Sequence, residues 1–336
     1  MTKGIRIRRV REDLRNGAAW EAVRARIGSQ LPDEPLLPEA RPYLAWRGEE
    51  PVARLALGLS DGLIEAPDRT GWIGWYEARD PESGVALLLH AREVLSRAGA
   101  VRVIGPFHGS TWNRYRLVLR EQGPNEPPPF LSEPWNPPDY PDHFAAAGFQ
   151  PIAAYESRIA PPADEADLRR AAEARSRLAE SGVAVRPLDS DRFDEELRRI
   201  HELSLDAFAR NRFYSPLGEE RFRAMYRPIR SLLDPSLILL AESRDGELLG
   251  FSFSFLDPNA PPDRPRLILK TLATASRARG AGLGSALVSL THASDAARGA
   301  EVVHALIEAG NLSRRISSGH QGECFRRYAL FAAPPS

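Results

Sequence analysis

One run constrains this chain more than any other: Arg279-Gly280-Ala281-Gly282-Leu283-Gly284-Ser285-Ala286-Leu287, set between an apolar, strand-like stretch (Arg266 to Thr274) and an amphipathic, helix-like one. Leu283, Leu287 and Leu290 fall at i, i+4 and i+7, the spacing of one buried helical stripe. Glycines at 280, 282 and 284 let the backbone approach an anion closely. The free N–H groups of a helix start then point at it, with the helix dipole behind them. A tight strand-to-helix turn uses glycines in the same way, and the flanking residues must separate the two readings.

Nucleoside triphosphates, dinucleotides and coenzyme A all place phosphate on such a loop. A P-loop closes with Gly-Lys-Ser/Thr, but Gly284-Ser285 has no lysine between its members, and the nearest, Lys270, lies upstream on the strand. The dinucleotide reading gains from a second strand-like run, Val302 to Ile307, that ends in an acid, Glu308. Against it, the glycines run G-x-G-x-G rather than G-x-G-x-x-G, and the chain beyond Glu308 has room for only one more helix and strand, too little for a doubly wound sheet.

Arg279-x-x-Gly282-x-Gly284 between a strand and a long helix resembles the acyl-CoA signature of the GNAT acyltransferases. That resemblance implies that the backbone of Leu272, Ala273 and Thr274 pairs with pantetheine. It also implies that Arg279, Gly280, Ala281, Gly282, Leu283, Gly284 and Ser285 hold the pyrophosphate, with Asn311 contacting the cofactor, acetyl-CoA or another acyl-CoA. The resemblance is specific from about Thr271 to Ser313.

Earlier segments repeat the order of elements more weakly: strand Ile5 to Val10, helix Ala18 to Ile27, hairpin Tyr43 to Trp46 with Val52 to Leu59, strand Gly71 to Glu77, helix Glu82 to Ala98 and strand Val101 to Gly105. Tyr140…Gly148-Phe149 resembles the tail of a GNAT domain. The expected fold class is therefore α/β (α+β), with two GNAT-like domains, each a mixed, mostly antiparallel sheet flanked by helices. The expected divisions are a degenerate domain over 1–159, a connecting helical arm over 160–181 and an acyl-CoA domain over 182–336. In the first domain the loop Tyr76-Glu77-Ala78-Arg79-Asp80-Pro81-Glu82 has no glycine pair and carries acids that repel a pyrophosphate, so no coenzyme A is expected there.

At 336 residues and 43% hydrophobic, the chain is long enough for two ordinary domains. A net charge of +0 offers no general basic field for nucleic acid or an anionic membrane. The lone cysteine, Cys324, permits no intramolecular disulfide, and no residue pattern marks a metal site. Met1 to Arg15 is arginine-rich without an apolar core, and no run has the length of a membrane span, so a cytoplasmic protein, monomer or homodimer, is expected.

For chemistry, acyl transfer to an amine needs a polarised thioester carbonyl and a proton route. Glu308 is the best-placed base, and His304 shares its side-chain parity on the strand. The tyrosine acid common in the family has no counterpart after Asn311, where Ser317-Ser318-Gly319 stands, which leaves Tyr328 and Ser318 as acid candidates. Arg210, Arg212, Phe213 and Tyr214 are expected to bind the acceptor, a small amine or amino-acid-like molecule, the arginines by bidentate pairing with a carboxylate. The alternative is a sensor or scaffold that binds acyl-CoA without turnover.

Overall fold

The structure, a computed structural model, describes residues 4–10, 18–27, 34–61, 63, 68–119 and 127–335; most of the arginine-rich run Met1 to Arg15 lies outside them. The chain begins with β1 (Ile5–Arg9), α1 (Ala18–Ile27), β2 (Arg41–Arg47), β3 (Glu50–Ser60), β4 (Thr70–Ala78), α2 (Pro81–Arg97) and β5 (Arg102–Gly105). It continues through β6 (Leu117–Leu119), α3 (Tyr140–Ala146), β7 (Gln150–Ala160) and α4 (Glu165–Glu180). The second half brings β8 (Ala184–Pro187), α5 (Phe193–Phe208), α6 (Glu219–Tyr226), β9 (Ile238–Glu242), β10 (Leu248–Leu256), β11 (Arg266–Thr274), α7 (Leu283–His292), β12 (Glu301–Glu308), α8 (Ser313–Gly319) and β13 (Glu323–Ala333).

The order β1-α1-β2-β3-β4-α2-β5 recurs as β8-α5-α6-β9-β10-β11-α7-β12, so the weak internal repeat of the sequence is a repeat of architecture. Within each half the strands pair antiparallel except at one step, β4 with β5 and β11 with β12, where the crossover helices α2 and α7 make the pairing parallel. The fold class is as expected, a large and mostly antiparallel sheet flanked by helices.

The expected division into separate sheets is corrected by the strand order. One 13-stranded sheet runs β1-β2-β3-β4-β5-β13-β7-β12-β11-β10-β9-β8, with β6 paired to β13 off this path. The halves have exchanged their last strands: β13, from the C-terminus, pairs with β5, while β7, from the first half, pairs with β12, and β7 and β13 pair with each other along the centre. A cut at 159 or 182 divides the chain but not the sheet.

The arm is corrected as well. Helix α4 starts with a capping box, in which Asp164 and Asp167 each accept the other's backbone N–H. It is no free linker, because Ala171, Ala174 and Leu178 pack with Leu283, Ala286, Leu287 and Leu290 of α7 in one buried cluster. The opposite face of the second half is covered by α5 and α6, through Leu197, Ile200, Leu203 and Phe222 against Leu240, Phe251 and Ala273. Buried polar contacts join the halves: Arg326 pairs with Glu133 at 2.6 Å, and Asp257, paired within its own half to Arg266 at 2.7 Å, accepts the N–H of Leu131.

Candidate active site

Strand β11 is apolar and β-branched enough to sit in the sheet, and β10 holds one of its edges from Leu267 to Thr274. Its other edge pairs with β12 only from Arg266↔Glu301 to Leu269↔His304. Beyond that register both strands continue, to Thr274 and Glu308, without pairing, so they open as the arms of a V. A register shift in β12 and a φ of +58° at Leu306 turn the second arm outward. That arm's backbone is held from behind: Leu306 N–H donates to Ser157 Oγ at 3.1 Å, and Arg116 donates to Leu306 O at 3.3 Å.

The glycine loop closes the wide end of the V. Gly280 has φ +85° and Gly282, which starts α7, has φ +79°, left-handed values that L side chains rarely adopt. A Cβ at either would meet nothing within 4 Å, so the backbone faces open space. No side chain caps α7, which leaves its first amides available to an anion with the dipole behind them. The residues present therefore fit a pyrophosphate. Arg279 turns away, its guanidinium donating to the Ala207 carbonyl near the end of α5. The same end of α5 is tied to the loop by Asp206, which accepts the Ser276 N–H at 2.6 Å and whose carboxyl is held below its usual range by that bond.

Beside the loop lies a groove between α4, α7 and α8, lined by Arg170, Arg177, Ser285, Ser289, Arg315 and His320, in which the centre of a water-sized sphere can occupy ≈ 360 Å³. On the opposite face of the sheet, Leu197, Ile200, Phe222, Tyr226, Phe251 and Thr271 are among the residues lining a slender, almost wholly apolar slot. Thr271 places this slot against the open arm of β11.

Lys270 stands next to Thr271, at the first position beyond the last β11–β12 pair. Its ammonium lies 3.4 Å from Ser132 O and 5.7 Å from the Phe130 ring centre. Burial, and after it the charge of Arg116, bring it down to about 8. Sequence reading noticed Lys270 only as a lysine in the wrong place for a P-loop; its surroundings come from residues more than a hundred positions away.

The expected catalytic residues separate. Glu308 ends the β12 arm, half-buried, with Arg212 3.9 Å away, so two residues assigned different tasks by sequence form one pair at the rim. Tyr328 is corrected to a core residue: it is 0% exposed, and its hydroxyl is bonded to Ser157 at 2.9 Å and to Glu133. Ser318 lies on α8 with its hydroxyl donating to Arg314 O at 3.1 Å and facing Arg158, outside the V. His304 contacts His292 at 2.8 Å in a buried cluster and faces away from the acceptor side.

Among the cofactor residues, Leu272 and Thr274 are half-buried on the arm, Ala273 packs under α5, Leu283 packs under α4, and Ala281 and Ser285 are exposed. Asn311 is exposed, and its Oδ1 accepts the Ser313 N–H at 2.9 Å, starting α8. Phe213 is corrected from an acceptor contact to a packing residue, since it inserts into a core cluster of the first half with Trp75 and Phe107. Tyr214 is buried against Trp112, with ring centres 6.2 Å apart. Arg210 and Arg212 remain on the surface of this corner.

The corresponding place in the first half is built differently. The Asp80 carboxylate caps α2, accepting Ser83 N–H at 2.9 Å and Ser83 Oγ–H at 2.6 Å, and pairs with Arg47. Burial would raise this carboxyl, but those bonds bring it below its usual range. Between β4 and β5 the gap is filled by Phe107, whose N–H bonds Ile73 O at 2.7 Å, and by His108, whose Nε2 accepts the Trp75 N–H at 3.0 Å. Asp80 stands where α7 offers open amides.

The model of the acetyltransferase (GNAT) family matches residues 197–315, which span most of α5, the V, the glycine loop and the start of α8. A protein from Caulobacter vibrioides named bacterial ceramide synthase is 29% identical over 218 residues, 63% of this chain and 55% of its own, so this chain spans about half the length of that relative. Two solved structures show the same fold over nearly the whole chain. A tandem GNAT protein from the clavulanic acid biosynthesis pathway has a TM-score of 0.53 at 17% identity, with 99% of both chains covered. A GCN5-related N-acetyltransferase from Sphaerobacter thermophilus has a TM-score of 0.51 at 15% identity, covering 99% of this chain and 96% of its own. Residues 197–315, in the C-terminal half of the chain, form a domain that matches the GNAT family.

Proposed function

We propose that this protein transfers an acyl group from acyl-CoA to an amine whose aliphatic part, or whose acyl partner, is longer than acetyl. The observation that carries the reading is the V between β11 and β12 with an uncapped, glycine-started helix at its wide end. The amides of Gly280 to Ser285 would hold the pyrophosphate. The groove with Arg170, Arg177 and Arg315 is placed to take the remaining phosphate and the adenosine. A backbone N–H on the free edge of β11 would polarise the thioester carbonyl.

Lys270 fits the proton route better than the acids expected from sequence. An amine held down to about 8 exchanges a proton close to neutral pH, where a base is most effective. It would take one proton from the attacking amine and return it to the departing thiolate as the C–N bond forms and the C–S bond breaks. Glu308, paired with Arg212 at the rim, is suited to orienting the incoming ammonium.

The apolar slot bears on substrate class. Its mostly apolar lining suits an aliphatic group rather than a charged one, and it adjoins Thr271 on the arm. A ceramide is the amide of a fatty acid with a long-chain amino alcohol, so the name of the Caulobacter relative agrees with an alkyl chain there. Release of free thiol, followed across acyl-CoA donors of increasing chain length with short and long aliphatic amines, tests the reading. Faster turnover when either substrate carries a long chain supports it. Turnover with acetyl-CoA and short amines alone removes the chain-length claim. Binding of coenzyme A with no thiol released from any pair returns the protein to the sensor reading.

A further inference from the structure

Behind the V, on the face covered by α4, α7 and α8, lies a group of titratable side chains that acyl transfer does not use. Asp167 of α4, His292 at the end of α7 and His320 just after α8 are 2%, 1% and 5% exposed. One potential ligand atom from each lies within 4.8 Å of the others. Asp167 Oδ1 and His320 Nδ1 are 2.7 Å apart, and the His292 and His320 rings stack with centres 4.2 Å apart. His292 Nε2 meets His304 Nε2 at 2.8 Å, which fixes the ring, while His292 Nδ1 is buried without a hydrogen-bond partner.

A buried imidazole nitrogen with nothing to bond is costly and asks for an explanation. If His292 donates through Nε2 to His304, its Nδ1 presents a bare lone pair. That is the state a metal ligand requires, with the other ring nitrogen anchored by hydrogen bonding as in many metal sites. We propose that Asp167, His292 and His320 bind a divalent transition metal of the zinc class, independently of any acyltransferase activity.

The donor set supports this chemistry. Two imidazoles and a carboxylate suit zinc and its neighbours, while the absence of thiolate or thioether from the cluster disfavours softer ions. Bonds of about 2.0–2.1 Å in a tetrahedron set ligand atoms about 3.3 Å apart, so atoms now within 4.8 Å of one another would draw together while Asp167 and His320 part and the stacked rings turn toward the ion. The metal would replace the proton now shared by Asp167 and His320. The fourth position is reachable by water, since His320 and Ser289 line the groove beside the glycine loop and Ser289 Oγ lies 3.3 Å from His320 Nε2. Arg170, paired with Asp167, is the one cation in direct contact with these ligands among the described residues, and it would need to swing toward the groove. Such a metal would pin α4 to the rear of the helix that carries the phosphate loop.

The test is metal content of the full chain, purified with zinc present and dialysed against metal-free buffer, read by elemental mass spectrometry together with the melting temperature before and after chelation. The expected result is about one zinc per chain, lost in His292→Gln, with a melting temperature that falls on chelation in the wild type and not in the variant. Should that variant fail to fold, His304→Gln removes only the anchor of the ring and is expected to weaken zinc binding by about 10–100-fold. A wild-type chain that retains no zinc and melts identically with and without it overturns the proposal. Equal retention by wild type and His292→Gln does so too, by placing the metal elsewhere.

Discussion

Gly282 and Asp80 begin the two crossover helices, and on the proposed reading that difference bears on which half binds an anion. At Gly282 an added Cβ meets nothing within 4 Å but the residue must adopt φ +79°, so Gly282→Val is expected to cost about 1–2 kcal/mol in urea unfolding and to weaken coenzyme A binding by more than about tenfold. Asp80→Ala loses a cap and is expected to cost about 0.5–2 kcal/mol while leaving coenzyme A binding unchanged, as measured by calorimetry on the same preparations. Lys270 gives a pH signature. Its ammonium is displaced from the ordinary 10.5 to about 8, so between those values the unfolded chain holds the extra proton and stability rises with pH. Below 8 both states are charged and that stability is absent. The urea midpoint should climb from pH 8 to pH 10 in the wild type and less so in Lys270→Met. The glycine turn and the helix stripe were legible because each is a local signal, whereas the partner of Arg279, the Ala207 carbonyl, lies far away in sequence. Lys270, Tyr328 and the histidine cluster were not, because their meaning comes from Phe130, Glu133, Ser157 and Asp167, far away in sequence.

At the scale of elements, helix α7 is both the wall of the proposed cofactor site and the seat of α4. Leu287 is 0% exposed between them, and Leu287→Ala is expected to cost about 2–5 kcal/mol by urea denaturation, since helices packed on both sides of the site cannot easily close the void. Strand β11 was read from sequence with its ends correct, Arg266 to Thr274, because it is apolar and bounded by a proline-rich turn and by the glycine loop. Strand β7 escaped notice for the opposite reason. It lies at the centre of the sheet yet carries Glu156, Ser157 and Arg158, which hydrophobic periodicity reads as surface. They are tolerated there because Arg158 and Arg314 both pair with Glu156 at 2.9 Å and Ser157 bonds Tyr328.

For the molecule as a whole, the exchanged strands make each half incomplete without the other. β13 closes the first half against β5 and β7 closes the second against β12, and Phe213 of the second half fills a core cluster of the first. Unfolding followed by calorimetry should therefore show one cooperative transition, and residues 182–336 alone should fail to fold; two separate transitions would contradict the shared sheet. The sequence expressed the repeat but concealed the exchange, because pairing partners are set by long-range register rather than by any residue pattern within a strand. The same architecture leaves one half with open amides at its helix start and fills the equivalent gap in the other with Asp80, Phe107 and His108. The most direct test of that asymmetry is isothermal titration of coenzyme A into the wild type and Gly282→Val. One site per chain in the wild type, lost in the variant while its fold is retained, is the expected result. Two sites, no binding by folded wild type, or binding unaffected by the substitution would each contradict the placement of the cofactor at the V between β11 and β12.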